Sequence, residues 1–352
     1  MSEHPVSKQP SLGSSRRPLP QRLSALVLVA SFLLWATRRG FFTTWVASFA
    51  ALALLIAPAA ARAEAPTQTR RVEDSFLSGG KTVAVERYEL VAPGSYPVIL
   101  LLPAIDGFDK AHGDLYRRAA QRYAGKGYVV LLVNYFDRTP ATPAERKSLR
   151  ESFFRHAKGV TTPAEEKVLD AHFRAWMGAV ADAAKYAREL PNVDGDHVGL
   201  VGFSLGAYLA LASAAEKDLR VSAVVELFGG LPRSLRDKAA NLPPTLILHG
   251  DADTVVPVTE AYLLRRLIRK AKRVCEFQVY AEAGHVFSDP DDEGQENKPL
   301  TWEALVRVQK QVKDADERIA VFLEKYLKPV PRRAAERSRH SLLLVESRII
   351  PG

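Results

Sequence analysis

The first segment that could carry out a reaction is Gly-Phe-Ser-Leu-Gly at 202–206, which has Ser204 at its centre. It follows an apolar run at 197–203 and precedes an Ala-rich helical pattern that begins near Ala207. A Gly-x-Ser-x-Gly segment between a buried strand and a helix is typical of a nucleophile elbow, a strained turn that exposes the serine hydroxyl. The sequence therefore predicts Ser204 as a nucleophile.

A serine hydroxyl is a weak nucleophile at neutral pH and needs a base that takes its proton. His285 follows Gly284, just past the strand that we predict at 276–281. His249 ends an earlier strand, and we expect it to pack or to form a hydrogen bond beneath the loop of the acid. The other histidines fall in the leader, the tail, helical or inserted segments, or the amino end of a strand. We therefore predict His285 as the base.

The base needs an acid that orients its ring and stabilises the imidazolium. Asp251 and Asp253 both follow the strand predicted at 245–249. Asp251 is nearer the strand end, where its carboxylate is suited to accept turn amides, so we favour Asp253 as the acid. Glu226, at the end of the preceding strand, is a third candidate, although a hydrogen-bonded supporting role suits it better.

The oxyanion of an acyl-transfer intermediate needs backbone donors. One donor is predicted to be the N–H of Leu205, which directly follows the nucleophile. The other should come from the loop after the strand at 98–102, where the N–H of Ile105 is the first choice and that of Ala104 the second. Since backbone groups do this work, the side chains of the loop say little about it.

Extended and helical patterns alternate along the body of the chain. Strands are predicted at 82–91, 98–102, 128–134, 197–203, 221–227, 245–249 and 276–281, and helices at 110–124, 164–190, 207–216, 259–272 and 301–327. The middle strands are apolar on both faces, as in a parallel sheet covered by helices on each side. We therefore predict an α/β fold with a doubly wound, mostly parallel sheet, which places the catalytic residues at the carboxyl ends of strands.

Two polar segments interrupt this alternation, at 138–162 and at 285–299. Both follow strands and so lie on the side of the sheet where a site would form. Each is interpreted either as part of a lid or as an inert surface insertion.

The chain order Ser, Asp, His is the order that the α/β-hydrolase fold requires. At this point the sequence resembles the dienelactone hydrolase family over about 80–328. The matching segments are 98–107, 134–138, 202–206, 249–257 and 283–285. The resemblance implies an α/β-hydrolase fold and hydrolysis of a small ester or lactone through an acyl-enzyme, without a metal or an organic cofactor.

The sequence departs from the named members of that family at two positions. Those enzymes use a cysteine where this chain has Ser204, and a glutamate that accompanies the thiol where this chain has Ala104. The two departures are mutually consistent and weaken the case for dienelactone itself as substrate. Cys275 begins a strand far from the elbow and does not replace the nucleophile. The resemblance also implies that Arg138 helps to hold a substrate carboxylate, whereas a solvated arginine after a strand is the alternative.

Two other functions remain open at this stage. A peptidase or an acyltransferase would use the same three residues. A non-catalytic binding protein could keep the scaffold, although an intact set of Ser204, Asp253 and His285 argues against it.

Composition excludes several classes of function. The 352 residues have a formal charge of +9, but six of these charges lie in 1–63 and three in 329–352, so that 64–328 is neutral and gives no case for nucleic-acid binding. The single cysteine, Cys275, excludes an intramolecular disulfide, and no Cys-x-x-Cys or His-Glu-x-x-His segment suggests a metal site. The oligomeric state is left open.

The N-terminal 63 residues are interpreted as a leader. Paired arginines at 38–39 precede an apolar run at 45–57 and the small residues Ala61-Arg62-Ala63, which resembles a twin-arginine signal cut after Ala63. The expected location is therefore periplasmic or secreted. An uncleaved membrane anchor is the alternative, because a second apolar stretch lies at 23–36, although its length falls short of the roughly 20 residues that span a bilayer.

Three regions follow from these observations. The leader at 1–63 precedes a hydrolase domain at 64–328, and a basic tail at 329–352 follows two prolines that end the last helix. We expect the tail to be poorly ordered.

Overall fold

Eight strands form a mixed sheet in this computed structural model, which describes residues 68–108, 113–286 and 302–328. The strands are β1 Thr69–Ser78, β2 Lys81–Leu90, β3 Tyr96–Leu102, β4 Val129–Val133, β5 Val193–Phe203, β6 Ala223–Leu227, β7 Thr245–Gly250 and β8 Cys275–Tyr280. Their order in the sheet is β1-β2-β4-β3-β5-β6-β7-β8. β2 is antiparallel to β1 and β4, and all the other neighbouring pairs are parallel. The predicted mostly parallel sheet is confirmed.

Helices cover both faces of this sheet. They are α1 Gly113–Gly125, α2 Pro143–Lys158, α3 Pro163–Glu189, α4 Leu205–Ala214, α5 Thr259–Lys270 and α6 Trp302–Leu327. Short 3₁₀ turns occupy Tyr135–Arg138, Lys217–Leu219 and Arg233–Asn241. The described residues belong to a compact unit that begins at Pro66.

The central strands bury side chains on both faces, which explains their continuous apolar runs. In β3, Leu100 belongs to one core with Trp176 of α3, whereas Leu101 belongs to a second core with Phe322 of α6. All four side chains are fully buried. Because successive residues of a strand point to opposite faces, a strand covered on both sides needs apolar residues at every position.

Sequence analysis missed β1. It pairs with β2 over ten residues and lies at the edge of the sheet, where most of its side chains are exposed. An exposed edge strand lacks the continuous apolar run that marked the central strands, so its sequence gave a weak signal.

The polar segment at 138–162 contains helix α2, which sequence analysis also missed. Thr142 accepts a hydrogen bond from the Glu145 amide, and the Glu145 carboxylate accepts one from the Thr142 amide, forming a capping box in front of the first turn. The helix buries Leu149 and Phe153 on one face. The segment is therefore a packed helix with a polar outer face.

Several expectations lie outside the described residues. They are the leader at 1–63, the tail at 329–352 and most of the acidic loop predicted at 285–299. Within the described ranges, no helix has the length and apolarity that a membrane span requires.

Candidate active site

Ser204 occupies a sharp turn between the last residue of β5 and the first residue of α4. Its backbone has φ 51° and ψ −114°, a conformation that non-glycine residues rarely adopt and that is found at functional turns. The turn is anchored because the Ser204 amide donates a hydrogen bond to the carbonyl of Leu227 on β6, at 2.9 Å. The serine is thereby held at the carboxyl edge of the sheet and at the N-terminus of α4.

The two glycines of the elbow allow strand and helix to approach closely. A Cβ at Gly202 would lie 2.2 Å from the carbonyl oxygen of Gly206. A Cβ at Gly206 would lie 2.2 Å from the carbonyl oxygen of Leu102 and 2.4 Å from that of Pro103. Because these are backbone atoms, no rotamer change can relieve the overlap, and the spacing of small residues around the serine is a packing requirement.

His285 lies within hydrogen-bond distance of the nucleophile. Its Nε2 is 2.9 Å from the Oγ of Ser204. The Phe228 ring meets the imidazole edge to face, with ring centroids 5.0 Å apart, and so restricts the orientation of the base. The serine is 2% exposed and the histidine side chain 15% exposed, so this hydrogen bond is largely shielded from water.

Asp253 completes the chain of hydrogen bonds from the other side of the imidazole. Its Oδ2 accepts from His285 Nδ1 at 2.7 Å, and its Oδ1 accepts from the amides of Val255 and Val256, both at 2.8 Å. Burial favours the neutral acid, but hydrogen bonds from His249 and His285 outweigh it and lower the pKa of Asp253 to about 2. The acid is therefore a fixed anion at neutral pH.

The two competing carboxylates have other partners. Asp251 accepts a hydrogen bond from the amide of Glu282, at 2.6 Å, and joins the loops that follow β7 and β8. Glu226 is fully buried, and its Oε1 accepts from the amide of Gly229. The structure thus brings Asp253, among these three candidates, to the imidazole of His285.

His249 lies directly behind the acid. Its Nε2 is 2.9 Å from the carbonyl oxygen of Val256 and 3.2 Å from Asp253 Oδ2. The side chain is fully buried. The sequence expectation that His249 packs or bonds beneath the loop agrees with this position, but sequence analysis did not anticipate that it shares a carboxylate oxygen with the base.

The loop after β3 faces the N-terminus of α4. In the described part of the chain, the amides of Ile105 and Leu205 have no hydrogen-bond acceptor, whereas the amide of Ala104 donates to the hydroxyl of Tyr116 at 3.1 Å. Ala104, the second choice for a donor, is therefore already engaged. Ile105 and Leu205 keep the two free N–H groups that an oxyanion site needs.

Arg138 is directed towards the turn between β1 and β2. Its Nη1 donates to Ser78 Oγ at 3.0 Å, and this hydroxyl donates to Asp182 of α3 at 2.6 Å. The guanidinium also covers Gly79, where an added Cβ would overlap it. The structure therefore gives Arg138 a role in tying the hairpin to α3, and within the described residues no hydrogen bond of Arg138 involves Ser204, Asp253 or their neighbours.

No cluster of three or more His, Cys, Asp or Glu side chains suited to a metal ion occurs within the described residues. The chemistry that the arrangement can perform is nucleophilic acyl transfer, because a hydroxyl, a base, an oriented anion and two free amides converge at one edge of the sheet.

The comparisons with known proteins agree with this architecture. The sequence model of the dienelactone hydrolase family matches residues 86–327. A curated protein of Methylorubrum extorquens named "Putative carboxymethylenebutenolidase" is 29% identical over 203 residues, which is 55% of this chain and 64% of the relative. The chain thus spans less than two thirds of that relative.

Solved structures show the same fold. A dienelactone hydrolase-like promiscuous phosphotriesterase from metagenomic libraries superposes with a TM-score of 0.55 at 19% identity, over 71% of this chain and 98% of the other. A dienelactone hydrolase of Anabaena variabilis superposes with a TM-score of 0.51 at 17% identity, over 74% of this chain and all of the other. The α/β-hydrolase fold expected from the sequence is confirmed.

Proposed function

Since this chain belongs to the dienelactone hydrolase family, we propose that it is a serine hydrolase that cleaves a small carboxylic ester or lactone. The observation that carries the proposal is the unbroken chain of hydrogen bonds from Asp253 through His285 to Ser204, with distances of 2.7 and 2.9 Å. A nucleophile, a base and an orienting acid in this arrangement are the requirements for acyl-enzyme chemistry.

In the first half of the reaction, His285 Nε2 takes the proton of Ser204 as Oγ attacks the ester carbonyl. The Nδ1 atom of His285 carries a proton towards Asp253 Oδ2, which fixes the tautomer whose Nε2 is free to accept. The carboxylate also stabilises the imidazolium that forms. His285 then gives its proton to the leaving alkoxide as the carbon–oxygen bond breaks, and the acyl group stays on Oγ.

The negative charge of the tetrahedral intermediate is stabilised by the amides of Leu205 and Ile105. Leu205 also begins α4, so the positive end of the helix dipole lies beside the developing oxyanion. In the second half, His285 takes a proton from water as the water oxygen attacks the acyl carbon. The bond between the acyl carbon and Ser204 Oγ then breaks, His285 returns the proton to Oγ, and the carboxylic acid is released.

The substrate class rests on family membership together with the serine chemistry. The curated relative is named as a carboxymethylenebutenolidase, an enzyme name that refers to a lactone. Because the same three residues also serve peptidases, the preference for an ester or lactone over a peptide depends on the family membership. No step of this mechanism requires a metal or an organic cofactor.

Labelling with a fluorophosphonate probe tests the nucleophile. We expect the wild-type protein to be labelled at Ser204 and Ser204→Ala to be unlabelled. Ser213 is a matched control, because it lies on the same helix and is also 2% exposed. Ser213→Ala should be labelled like the wild type. Equal labelling of Ser204→Ala, or none of the wild type, would overturn the assignment.

A panel of short acyl esters, lactones and peptides then tests the substrate class. We expect turnover of esters and lactones that Ser204→Ala abolishes. Turnover of peptides alone would point to a peptidase on the same residues, and acyl transfer to an added alcohol would point to an acyltransferase. The absence of both labelling and turnover would favour a binding protein.

We also propose that the protein is exported. The support is the order of basic, apolar and small residues within 1–63. N-terminal sequencing of protein purified from the native cell tests this proposal. A chain that begins after Ala63 is expected, and a mature chain that still contains Arg38 and Arg39 would favour an uncleaved anchor.

A further inference from the structure

Two fully buried side chains behind the acid each leave one polar atom without a hydrogen-bond partner in the described part of the chain. These atoms are Nδ1 of His249 and Oε2 of Glu226. Buried polar atoms are nearly always paired, so two unpaired atoms beside a candidate active site need an explanation. The mechanism above uses neither side chain.

The protonation of one ring nitrogen of His249 follows from its partners. Nε2 lies 2.9 Å from the carbonyl oxygen of Val256, which can only accept a hydrogen bond. Nε2 therefore carries a hydrogen. The same Nε2 atom lies 3.2 Å from Oδ2 of Asp253. Nδ1 is then the nitrogen that gains or loses a proton when His249 changes charge.

Glu226 and His249 lie on the same face of neighbouring strands. In the parallel register of β6 and β7, Glu226 pairs with Ile247, and His249 is two residues further along β7. Paired residues of a sheet and residues two apart on one strand share a face. Glu226 and His249 are therefore diagonal neighbours beneath α4, and their charges influence each other.

Burial and the charge of the neighbouring group shift the pKa values of both Glu226 and His249. Burial raises the pKa of Glu226 to about 7, and the charge of His249 opposes this effect. Burial alone would lower the pKa of His249, but the hydrogen bond to Asp253 and the charge of Glu226 outweigh it and raise that pKa above its usual value. The Glu226 carboxylate and the His249 imidazolium therefore favour each other's charged form.

Two other titratable groups near Glu226, Tyr208 and Cys275, stay uncharged at neutral pH. Burial raises the pKa of Tyr208 on α4 well above 10 and that of Cys275 on β8 to about 11. Arg236 and Glu260, whose charges reach Tyr208, form an ion pair at 2.7 Å. The charged group that remains beside the pair is the Asp253 carboxylate.

We propose that Glu226 and His249 form a buried positioning pair. The Glu226 carboxylate stabilises His249 as an imidazolium, and this imidazolium contacts the carboxylate of Asp253. The imidazolium also has the Glu226 carboxylate as its diagonal neighbour on β6, so that two anions compensate the buried cation. Through Nε2 it holds the same oxygen of Asp253 that orients His285. The pair fixes the acid and weakens its pull on the His285 proton, so that the base is neutral, and able to accept, at lower pH.

The charge state of His249 can be measured without any substrate. In ¹⁵N-histidine-labelled wild-type protein, we expect both ring nitrogens of His249 to show protonated chemical shifts at pH 7. In Glu226→Gln the anion is gone, and the titration midpoint of His249 should fall by about one pH unit. Tyr208→Phe is a control of similar burial beside Glu226 that carries no charge, and it should leave the midpoint unchanged.

A second readout links the pair to the chemistry and rests on the proposed function. In Glu226→Gln, His249 is neutral over more of the pH range, and Asp253 then stabilises the His285 imidazolium more strongly. The midpoint of the acidic limb in the pH profile of kcat/KM should therefore move up by about 0.5 pH unit. Tyr208→Phe should keep the wild-type limb. A merely structural role of Glu226 would lower kcat without moving the limb.

The two proposals fail in different ways. A wild-type His249 that is neutral throughout pH 6–8, or a midpoint unchanged in Glu226→Gln, would overturn the pair whether or not the protein hydrolyses esters. A protein without hydrolase activity would overturn the function and leave the NMR result standing. If Glu226→Gln does not fold, the wild-type titration alone decides the charge of His249.

Discussion

Nδ1 of His285 lies 2.7 Å from Oδ2 of Asp253, although 32 residues separate them in the chain. The two residues meet because β7 and β8 are parallel neighbours, which brings the loops at their carboxyl ends together. The amide of Ala252 donates to the carbonyl of Ala283, at 3.0 Å, and joins the loops next to the two residues. The position of the acid relative to the base is thus set by backbone contacts as well as by the hydrogen bond itself.

Asp253→Asn should lower kcat by about four orders of magnitude. An amide at this position presents an N–H group to Nδ1 of His285, which then has to accept and carries no hydrogen. The hydrogen of the imidazole is then on Nε2, so Nε2 cannot accept the Ser204 proton. Steady-state kinetics on a short acyl ester measures the effect. Asp251→Asn is the control, because its carboxylate accepts only a loop amide, and it should change kcat by less than about tenfold. A larger loss in Asp251→Asn than in Asp253→Asn would make Asp251 the acid.

The stability of the protein should fall as the pH drops from about 4 to about 2, and part of this fall should be due to Asp253. The pKa of Asp253 is lowered from 3.8 to about 2 in the folded state. A lowered folded pKa stabilises the protein above the unfolded value, and the stabilisation, here about 2 kcal/mol, disappears as the pH falls through the folded value.

Urea unfolding of the wild type and of Asp253→Asn at several pH values measures this contribution. The difference in free energy of unfolding should be largest above pH 4 and should shrink towards pH 2, because only the wild type loses the ionised carboxylate. A difference that stays constant from pH 2 to pH 6 would contradict the lowered pKa.

Sequence analysis could predict those residues of the candidate site that have a suitable side chain and directly follow a predicted strand. Ser204 and Asp253 follow buried strands and His285 follows the partly buried edge strand β8, and parallel strands place their carboxyl ends at one edge of the sheet. Glu226 and His249 were noticed for the same reason. Their relation to Asp253 was not predictable, because it depends on the register of β6 against β7 and on side-chain directions that a single sequence does not specify.

Two elements and one side chain show where the sequence was insufficient. β1 is an exposed edge strand, and α2 buries only a narrow face, so neither has the apolar pattern of a core element. The direction of Arg138 depends on Ser78 and Asp182, which are distant in the chain and come together only when the hairpin meets α3. Such contacts follow from tertiary packing, which local sequence patterns do not encode.

Gly206→Ala should destabilise the protein by about 2 kcal/mol or more, because the new methyl group would lie 2.2 Å from the carbonyl oxygen of Leu102. Gly125→Ala is a matched control at the end of α1, where an added Cβ meets no atom within 4 Å, and it should change stability by less than about 0.5 kcal/mol. Thermal unfolding of both variants measures the difference. Equal melting temperatures would show that the elbow can relax around a methyl group.

Arg138→Ala should lower stability without changing substrate preference. The guanidinium donates to Ser78 at the hairpin, so its loss should cost about 1 kcal/mol. Because none of its hydrogen bonds reaches Ser204 or His285, kcat/KM should change by the same factor for an ester that carries a carboxylate and for a neutral ester of the same size. Chemical unfolding and paired kinetics on the two esters measure both effects. A loss confined to the acidic ester would show that Arg138 leaves Ser78 and binds the substrate carboxylate, as the family resemblance implies.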